Sequence, residues 1–381
     1  MTTATMTTMV TLTMDGQSVQ VPKGSNLLKA AELAGIFIPH LCYLEGQPPF
    51  VGCRMCVVEI EGARGCDLAC STNVSEGMIV RTRTEKLVEM RRYTMLAMLS
   101  ETQPKCLTCL TCWRDKICTP GMTCLRHVKV TERCLTCPKN ERCELQSAGE
   151  YVNLKGMTRF PGARPAFKLE LRNPLIEMDR DRCILCTRCT RACWDIMGIA
   201  AIELSYRGDQ AQIDSSFHRP LQDTNCIFCG ACVDACPCSA LREKGNPLWG
   251  LADYSVETTC PYCGVGCGLI LDVKDGKVAR SIPNQAAPVG KGQLCVKGRF
   301  GSEFIHSADR LTTPLVKKDG QLVEASWEEA LGLIAEKLPK YKGGQFATIA
   351  SGRITNEDNY VIQKFTRGVM NSPNVDVCAR L

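Results

Sequence analysis

The chain has 381 residues, a formal net charge of +6 and 45% hydrophobic side chains, which is enough for two to four domains with their own cores. No apolar run approaches the length of a membrane helix, about 18 residues. The N-terminus lacks a signal-peptide pattern, and the basic residues are scattered rather than grouped in blocks. We therefore expect a cytoplasmic protein with no membrane span and no nucleic-acid partner. The 27 cysteines are the strongest feature, because paired thiols in a reducing compartment are typical of metal ligands rather than disulfides.

The N-terminal segment has the pattern of a hairpin followed by a helix. Apolar and polar residues alternate over residues 10–14 and 18–21, on either side of Asp15-Gly16, a dipeptide typical of tight hairpin turns. Helical periodicity follows over residues 25–33, with a serine near its start. The first domain is therefore expected to place strand, strand and helix ahead of its first cysteines.

The first four cysteines predict a two-iron cluster. Ten, two and thirteen residues separate successive members, and Gly52 lets backbone amides approach the sulfurs. The segment resembles the β-grasp [2Fe–2S] ferredoxin domain, with the ligand spacing of the N-terminal domain of the large complex I iron–sulfur subunit. Cys66 is an alternative fourth ligand, but we interpret it as a small buried apolar residue. The predicted ligands are Cys42, Cys53, Cys56 and Cys70.

Residues 106–143 contain a short internal duplication, in which a cysteine triplet recurs 25 residues further on. In the complex I-type relatives a histidine four residues ahead of one such triplet is the fourth ligand, whereas Lys105 and Val130 occupy those places here. We expect a four-iron cluster on the second triplet and another on the first, with a structural zinc as the alternative. The triplets are Cys109, Cys112, Cys118 and Cys134, Cys137, Cys143, and Cys106, Cys124 and His127 compete for the vacant ligand positions.

The next group has the cysteine spacing of a bacterial ferredoxin, twice over. Pro237 follows the second run, whereas Trp194 follows the first. This spacing is the signature of two [4Fe–4S] clusters in which the fourth cysteine of each run binds the other cluster. Cys238 lies outside both sets and is interpreted as structural. The predicted ligands are Cys183, Cys186, Cys189 and Cys236 for one cluster, and Cys226, Cys229, Cys232 and Cys193 for the other.

A fourth group lies in Cys-Pro-Tyr-Cys-Gly-Val-Gly-Cys at residues 260–267 and Leu-Cys-Val-Lys-Gly at residues 294–298. It resembles the start of the molybdenum or tungsten bis(pyranopterin guanine dinucleotide) oxidoreductases, in which a [4Fe–4S] cluster lies beside the pterin. The resemblance implies that Lys297 helps electrons to cross between cluster and pterin. A solvated surface lysine is the alternative, but the position two residues after a cysteine favours the functional interpretation. The predicted ligands are Cys260, Cys263, Cys267 and Cys295.

Beyond about residue 311 the pattern is that of α/β structure. Residues 327–338 have helical periodicity, residues 346–350 have the pattern of a buried strand, and residues 351–360 open a helix with early acidic side chains. A strand-to-helix junction presents free amides to phosphates. We therefore expect the pterin dinucleotide to bind there, with Arg353 as a contact, although a surface arginine is the alternative.

The last residues, Asn-Val-Asp-Val-Cys-Ala-Arg-Leu at 374–381, closely resemble formate dehydrogenases. In that family a selenocysteine or cysteine that binds the metal follows, so the resemblance implies oxidation of formate to CO2, or the reverse, at a Mo or W centre. We expect that a selenocysteine codon was read as a stop here, that the chain lacks this catalytic residue, and that it is inactive alone. Cys378 is interpreted as structural. The N-terminal domain resembles those that dock against flavin subunits using NAD(P)H, or against hydrogenase and bifurcating electron-transfer subunits, and partners of that class are expected.

These patterns predict an α+β multidomain chain with one [2Fe–2S] cluster, four to five [4Fe–4S] clusters and, in the complete protein, a Mo or W bis-pterin. The predicted function is electron transfer within a formate dehydrogenase; an iron-only hydrogenase, an NADH dehydrogenase-type subunit and a non-catalytic electron carrier are the alternatives. The expected domains are a β-grasp [2Fe–2S] domain at 1–82, a cysteine-rich cluster domain at 83–160, a ferredoxin domain with two [4Fe–4S] clusters at 172–248, a [4Fe–4S] domain of a molybdopterin oxidoreductase at 255–310 and an incomplete molybdopterin-binding α/β domain at 311–381.

Overall fold

The chain divides into two compact units, Met1–Leu251 and Ala252–Leu381. The cysteine groups at 42–70 and 183–236 lie in the first unit, and the group at 260–295 lies in the second. In the part of the chain that the structure describes, no helix is long and apolar enough to cross a membrane. The structure is a computed structural model, and it describes residues 8–101, 139, 142–154, 167, 169–245 and 251–377.

The first unit begins with a five-stranded sheet, as expected for a β-grasp domain. The predicted hairpin is present, and Asp15 and Gly16 have φ of 47° and 84°, as a type I′ turn requires. The helix starts later than predicted, because Asn26 is its N-cap and accepts a hydrogen bond from the Lys29 amide at 2.9 Å. The elements are β1 (Met9–Met14), β2 (Gln17–Pro22), α1 (Leu27–Leu33), β3 (Val57–Ile60), β4 (Cys66–Leu68) and β5 (Ile79–Arg81), with the strands in the order β2-β1-β5-β3-β4.

One hydrophobic core fixes this domain and part of its cysteine loop. Leu12 and Met14 alternate with more exposed residues along β1 and are buried, as expected for a strand with one covered face. Leu27 of α1 packs into the same cluster, which also contains Cys56 and Cys70. The core therefore holds two of the four predicted [2Fe–2S] ligands in place.

Beyond the sheet, the described part of the first unit contains one longer helix and several short elements around the ferredoxin cysteines. Thr187 and Gly230 adopt left-handed conformations, with φ of 57° and 78°, and each is the residue directly before a short helix that carries a ferredoxin cysteine. The helices are α2 (Glu85–Glu101), α3 (Glu144–Tyr151), α4 (Arg188–Arg191) and α5 (Ala231–Ala235), and the antiparallel strand pairs are β6 (Ile176–Met178) with β9 (Leu241–Glu243) and β7 (Ile202–Ser205) with β8 (Gln212–Ser215).

The described part of the second unit contains three separate β-sheets and three α-helices. The helix predicted at residues 327–338 is confirmed, and Ser326 caps its N-terminus. The helix predicted within residues 351–360 is also confirmed. The antiparallel strands are β10 (Tyr254–Thr259), β11 (Gly268–Lys274) and β12 (Lys277–Pro283) in one sheet and β13 (Leu315–Lys318) and β14 (Gln321–Glu324) in another. The parallel pair is β15 (Thr348–Ala350) and β16 (Val375–Val377), and the helices are α6 (Val296–Phe300), α7 (Trp327–Lys337) and α8 (Asn356–Lys364).

The strand predicted at residues 346–350 is present, but the prediction that it is buried was wrong. β15 contains only Thr348–Ala350, and Ile349 is 77% exposed. β15 pairs with β16 in a two-stranded ladder, and so small a ladder does not bury both of its faces. The apolar run therefore indicated a strand without indicating its burial.

Candidate metal centres

The first cysteine group forms one buried site in the N-terminal domain. Cys42 and Cys53 lie on the segment between α1 and β3, Cys56 directly precedes β3, and Cys70 follows β4. The amide of Leu41 donates to Cys53 Sγ at 3.4 Å, and the amide of Cys53 donates to Cys42 Sγ at 3.5 Å. Amides directed at sulfur stabilise thiolates, which are the form that binds iron.

The thiols of this site interact in two pairs. A hydrogen bond with Cys53 lowers the pKa of Cys42 to about 6, and the same hydrogen bond, together with burial, raises the pKa of Cys53. Cys56 likewise lowers the pKa of Cys70 through a hydrogen bond, while the pKa of Cys56 itself is raised. Four buried thiols in two contacting pairs fit a two-iron cluster, and the ligand assignment stays a prediction.

Cys66 lies away from these pairs. It is on β4 opposite Glu59, and its Sγ is 3.8 Å from Met90 Sδ. It is partly exposed, so the interpretation of Cys66 as a buried apolar residue was wrong: β4 is the outermost strand of the sheet, and an edge strand leaves side chains uncovered. Cys70, rather than Cys66, is the residue beside Cys56.

The two ferredoxin runs surround two cavities. Three cysteines of one run and the fourth cysteine of the other run line each cavity, which is the crossed arrangement that the spacing predicts. The empty volumes are similar, about 390 Å³ and about 360 Å³, as suits two groups of the same kind. Cys183, Cys186, Cys189 and Cys236 line the first cavity, and Cys193, Cys226, Cys229 and Cys232 line the second.

Burial controls the protonation of these thiols. It raises the pKa of Cys189 and Cys232 well above the usual value, and it raises the pKa of Cys186 to about 12. A buried thiolate is unfavourable until a cation joins it, so iron must displace the protons as it binds. In the described ranges, no three His, Cys, Asp or Glu side chains converge as the ligands of a single ion would. The cysteine lining fits a [4Fe–4S] cluster in each cavity, and the assignment of individual ligands stays a prediction.

Cys238 also lines the first cavity, a position that its sequence context did not indicate. Its Sγ is 4.0 Å from Cys236 Sγ and donates to the carbonyl of Arg182 at 3.0 Å. The hydrogen bond between Cys236 and Cys238 lowers the pKa of Cys236 to about 5. Cys238 therefore favours the thiolate of a predicted ligand, which a purely structural cysteine is not required to do.

Most of the duplicated cysteine region lies outside the described residues. Cys143 is described; it is buried, is the N-cap residue of α3, and its Sγ lies 3.4 Å from the carbonyl oxygen of Pro237. This contact brings one predicted ligand of that region beside the residue that follows Cys236. The remaining predicted or competing ligands, outside the described residues, are Cys106, Cys109, Cys112, Cys118, Cys124, His127, Cys134 and Cys137.

Two arginines of α4 connect the ferredoxin cysteines to the rest of the first unit. Arg188 forms an ion pair with Glu144 at 2.5 Å. Arg191 donates to the carbonyl of Pro48 at 3.0 Å and to the carbonyl of Cys42. The partners of Arg191 are more than 140 residues away in sequence, so no local pattern predicted this contact with the loop of the first site.

The fourth cysteine group lies where β10, β11 and α6 meet. Cys260 follows β10, Cys267 precedes β11, and Cys295 is the N-cap residue of α6. The amide of Cys260 donates to the carbonyl of Cys267 at 2.9 Å. Burial raises the pKa of Cys260, and the proximity of Cys295 and Cys263 raises it further. The structure therefore brings the four thiols together, but Cys263 and Cys295 are exposed.

A glycine joins this cysteine loop to the loop of Arg353. The Gly264 amide donates to the carbonyl of Gly352 at 3.0 Å, and a Cβ on Gly264 would lie 2.7 Å from that oxygen. Lys297 and Arg353 are both exposed. Two residues predicted to face the pterin thus belong to segments that border the fourth cysteine group, and their roles stay predictions.

The N-terminus of α8, expected to bind a phosphate, is capped within the chain. The Thr355 hydroxyl accepts from the Asp358 amide at 3.1 Å, and the Asp358 carboxylate accepts from the Thr355 amide at 3.3 Å. Glu357 and Asp358 also place negative charge in the first turn. A phosphate would meet these carboxylates, so Arg353 is the group of this loop best suited to attract one.

Four family models match the chain. They confirm a multidomain chain with a 2Fe–2S domain, 4Fe–4S domains and the start of a molybdopterin oxidoreductase domain. The matches are the 2Fe-2S iron-sulfur cluster binding domain at residues 7–85, the ferredoxin-like domain of NADH-quinone oxidoreductase subunit 3 at residues 173–242, the molybdopterin oxidoreductase Fe4S4 domain at residues 254–307 and the molybdopterin oxidoreductase family at residues 310–381.

Curated relatives match nearly the whole chain. An NADH-quinone oxidoreductase subunit of Rhizobium meliloti is 36% identical over 98% of this chain and 40% of its own length. The NADPH-Fe(3+) oxidoreductase subunit alpha of Geobacter sulfurreducens is 35% identical over the same shares. A Staphylococcus haemolyticus protein named "Putative formate dehydrogenase" is 30% identical over 97% of this chain and 39% of its own length. The chain thus spans about 40% of the length of these relatives.

Among solved structures, an NAD+-reducing [NiFe]-hydrogenase is similar at 26% identity, with a TM-score of 0.47, over 62% of this chain and 88% of that chain. The names of two curated relatives identify them as NADH- or NADPH-linked oxidoreductase subunits. The family models place the iron–sulfur domains first and the molybdopterin oxidoreductase segment after them. The chain is therefore similar over nearly its whole length to the first part of complex I-type oxidoreductase subunits, and it contains iron–sulfur domains followed by the start of a molybdopterin oxidoreductase domain.

Proposed function

We propose that this chain is the electron-transfer part of a formate dehydrogenase that contains a Mo or W bis-pterin. The observation that carries the proposal is the pair of cavities, each lined by four cysteines taken from both ferredoxin runs. Such a set of thiols fits the ligand shell of an iron–sulfur cluster, and two adjacent shells are typical of electron carriers. The matches to two molybdopterin oxidoreductase domains support the proposal of a bis-pterin cofactor.

The groups that the chain would hold supply one-electron chemistry at iron–sulfur clusters and a two-electron reaction at the pterin-bound metal. The residues themselves exclude water and fix the sulfurs. Apolar residues such as Ile213 and Ile199 line the ferredoxin cavities together with the cysteines. Lys297 and Arg353 are proposed to meet the pterin on the exposed side of the fourth cysteine group.

Formate is the proposed substrate because of the resemblance at residues 374–381 and because a relative at 30% identity has a name that includes this activity. The proposed partner is a flavin subunit that exchanges electrons with NAD(P)H, or a hydrogenase-type or bifurcating subunit. Two relatives have NADH or NADPH in their names. Because these names differ in the nicotinamide, the electron partner needs a direct assay.

A second function is favoured by a specific observation. The NADH-quinone and NADPH-Fe(3+) oxidoreductase subunits are 36% and 35% identical to the chain, compared with 30% for the formate dehydrogenase-named protein. In that alternative the chain transfers electrons from a nicotinamide-linked partner and the molybdopterin oxidoreductase segment does not act on formate. Both functions use the same cysteine sites.

The two functions differ in which compound, formate or NAD(P)H, reduces the clusters of the full-length protein. The protein is purified without oxygen together with its co-purifying subunits, its Mo and W are quantified, and the bleaching of its cluster absorbance is followed after addition of formate or of NAD(P)H. The proposal predicts bleaching by formate in preparations that contain Mo or W. If NAD(P)H bleaches the clusters of a metal-loaded preparation and formate does not, the second function is supported and formate is excluded as the substrate.

A further inference from the structure

A buried arginine holds both sides of a predicted [2Fe–2S] ligand. Arg91 lies on α2 and is 0% exposed. Its Nε donates to the carbonyl of Met55 at 2.9 Å, and its Nη2 donates to the carbonyl of Val57. These are the residues directly before and after Cys56. One planar guanidinium therefore fixes the backbone on both sides of this cysteine, as its rigid fork of donors allows.

The other partners of Arg91 are also neutral oxygen atoms. Its Nη1 donates to the carbonyl of Thr82 at 2.9 Å and to the hydroxyl of Tyr151 at 3.3 Å. The carboxylate of Asp15 binds the amide of Thr82 at 2.7 Å rather than the guanidinium. Among the described residues, Arg91 thus has dipoles as hydrogen-bond partners and no carboxylate. Burying a cation in this way is costly unless negative charge is close by.

The four thiolates of a loaded [2Fe–2S] site would supply that negative charge. Cys56 lies between the two carbonyls that Arg91 binds, so the guanidinium is adjacent to the ligand loop. In a buried setting the attraction between such charges is stronger than at a surface, because the effective dielectric constant is lower. Reduction of the cluster adds one electron, and so one more negative charge, to this site.

We propose that Arg91 is a positioning residue of the [2Fe–2S] site, which fixes the Cys56 loop and favours the reduced cluster through its buried positive charge. This inference rests on the proposed cluster assignment. Arg91 has no role in holding iron itself, since a guanidinium offers only donors. Its effect is on the equilibrium between the oxidised and reduced forms of the cluster.

The test compares Arg91→Met with Arg92→Met in the full-length protein. Both changes remove one positive charge from α2, and methionine keeps an unbranched apolar side chain. Arg92 donates to the carbonyl of Val152 at 3.2 Å and contacts a different segment. The two-iron signal is followed by electron paramagnetic resonance during an anaerobic titration with dithionite. We expect Arg91→Met to shift the one-electron equilibrium at least tenfold towards the oxidised form, which is a midpoint potential lower by ~59 mV or more, and Arg92→Met to leave it near the wild-type value.

Equal midpoint potentials in the two variants would overturn the proposal. If Arg91→Met does not retain iron, the Arg91→Lys variant is measured instead. Lysine keeps the positive charge but lacks the planar fork of donors. We therefore expect a midpoint potential near the wild-type value and altered g values of the two-iron signal. Unaltered g values in Arg91→Lys contradict the positioning role. If the wild-type protein gives no two-iron signal, both the cluster assignment and the role of Arg91 are contradicted. If the signal is normal and the Arg91 variants do not change it, only the role of Arg91 is contradicted.

Discussion

The ferredoxin cysteines and the cysteines at 260–295 differ in how the protein encloses them. Five of the eight ferredoxin cysteines are buried and the other three are partly exposed, and burial raises the pKa of Cys189 and Cys232 strongly. In the other group Cys263 and Cys295 are exposed, and Lys297 on the adjoining helix is exposed as well. A mostly buried thiol set suits electron storage and transfer with little contact with solvent, whereas a set with exposed members suits a site that must meet a second cofactor or segment.

The difference shows that the same ligand type can be placed in two environments by local geometry. Cys189 and Cys232 each lie on a short helix that follows a left-handed residue, so the chain turns tightly beside each cavity. The 260–295 cysteines lie at the ends of β10, β11 and α6, where loop residues remain accessible. Four predictions test this contrast, beginning with the largest expected effect.

Replacement of a buried ferredoxin ligand should remove a whole cluster. Cys189→Ser takes one thiolate from the first cavity, and we expect a loss of about four irons per chain, because a cubane cluster needs its full set of ligands. Iron analysis and electron paramagnetic resonance of the reduced protein measure the loss. Cys238→Ser is the matched control, since Cys238 lines the same cavity but is not a predicted ligand. Equal iron loss in both variants would mean that Cys238 is itself a ligand.

The site at residues 260–295 should lose its iron before the ferredoxin sites. Because Cys263 and Cys295 are exposed, a water-soluble chelator should reach that iron first, and we expect a fast phase of about four irons followed by slower release. Stopped-flow absorbance of the iron–chelator complex follows both phases. Cys260→Ser should eliminate the fast phase, while Cys232→Ser should leave it in place. A single slow phase in the wild-type protein contradicts the contrast in exposure.

The iron-free first unit should be less stable in alkali. Burial raises the pKa of Cys186 to about 12 from an unperturbed value of 9.0. A raised thiol pKa stabilises the folded state fully below pH 9, and this contribution is lost as the pH rises from about 9 to about 12, because the unfolded chain releases its proton first. Urea unfolding of the reduced iron-free protein at pH 7.5 and pH 10.5 measures the loss. Cys186→Ala should show a smaller dependence on pH; an identical dependence would rule out this thiol as the cause.

The smallest expected effect concerns the helix that follows Arg353. Thr355→Ala removes the capping box of α8 and should lower the free energy of unfolding of the second unit by about 1 kcal/mol. Ser302→Ala is the control, because the side chain of Ser302 makes no capping hydrogen bond, and its effect should stay within a few tenths of a kcal/mol by the same measure. Urea unfolding monitored by circular dichroism compares them. A cost for Ser302→Ala as large as that for Thr355→Ala would contradict the capping assignment.

Local patterns predicted those parts of the fold that depend on neighbouring residues. The Asp15-Gly16 turn, α7 and α8 follow from turn chemistry and periodicity, which act over a few residues. The grouping of the ferredoxin cysteines also followed from spacing, because two- and three-residue gaps fix which sulfurs can share a cavity.

Features that depend on distant contacts were not predicted. Arg91 binds carbonyls 36 and 34 residues away in sequence, and its burial depends on how α2 packs against β3. The exposure of Cys66 and Ile349 likewise depends on strands at the edge of a sheet or in a small ladder. Sequence periodicity reports a strand, but it does not report whether another layer covers it.

Diffraction at the iron absorption edge tests the central claim most directly. Crystals of the anaerobically purified protein should show anomalous density in both ferredoxin cavities, with Cys193 bonded to the cluster held by Cys226, Cys229 and Cys232. The same maps should show Cys236 bonded to the cluster of the first run. Cavities without iron density, or two clusters each bound by the four cysteines of a single run, would contradict the account.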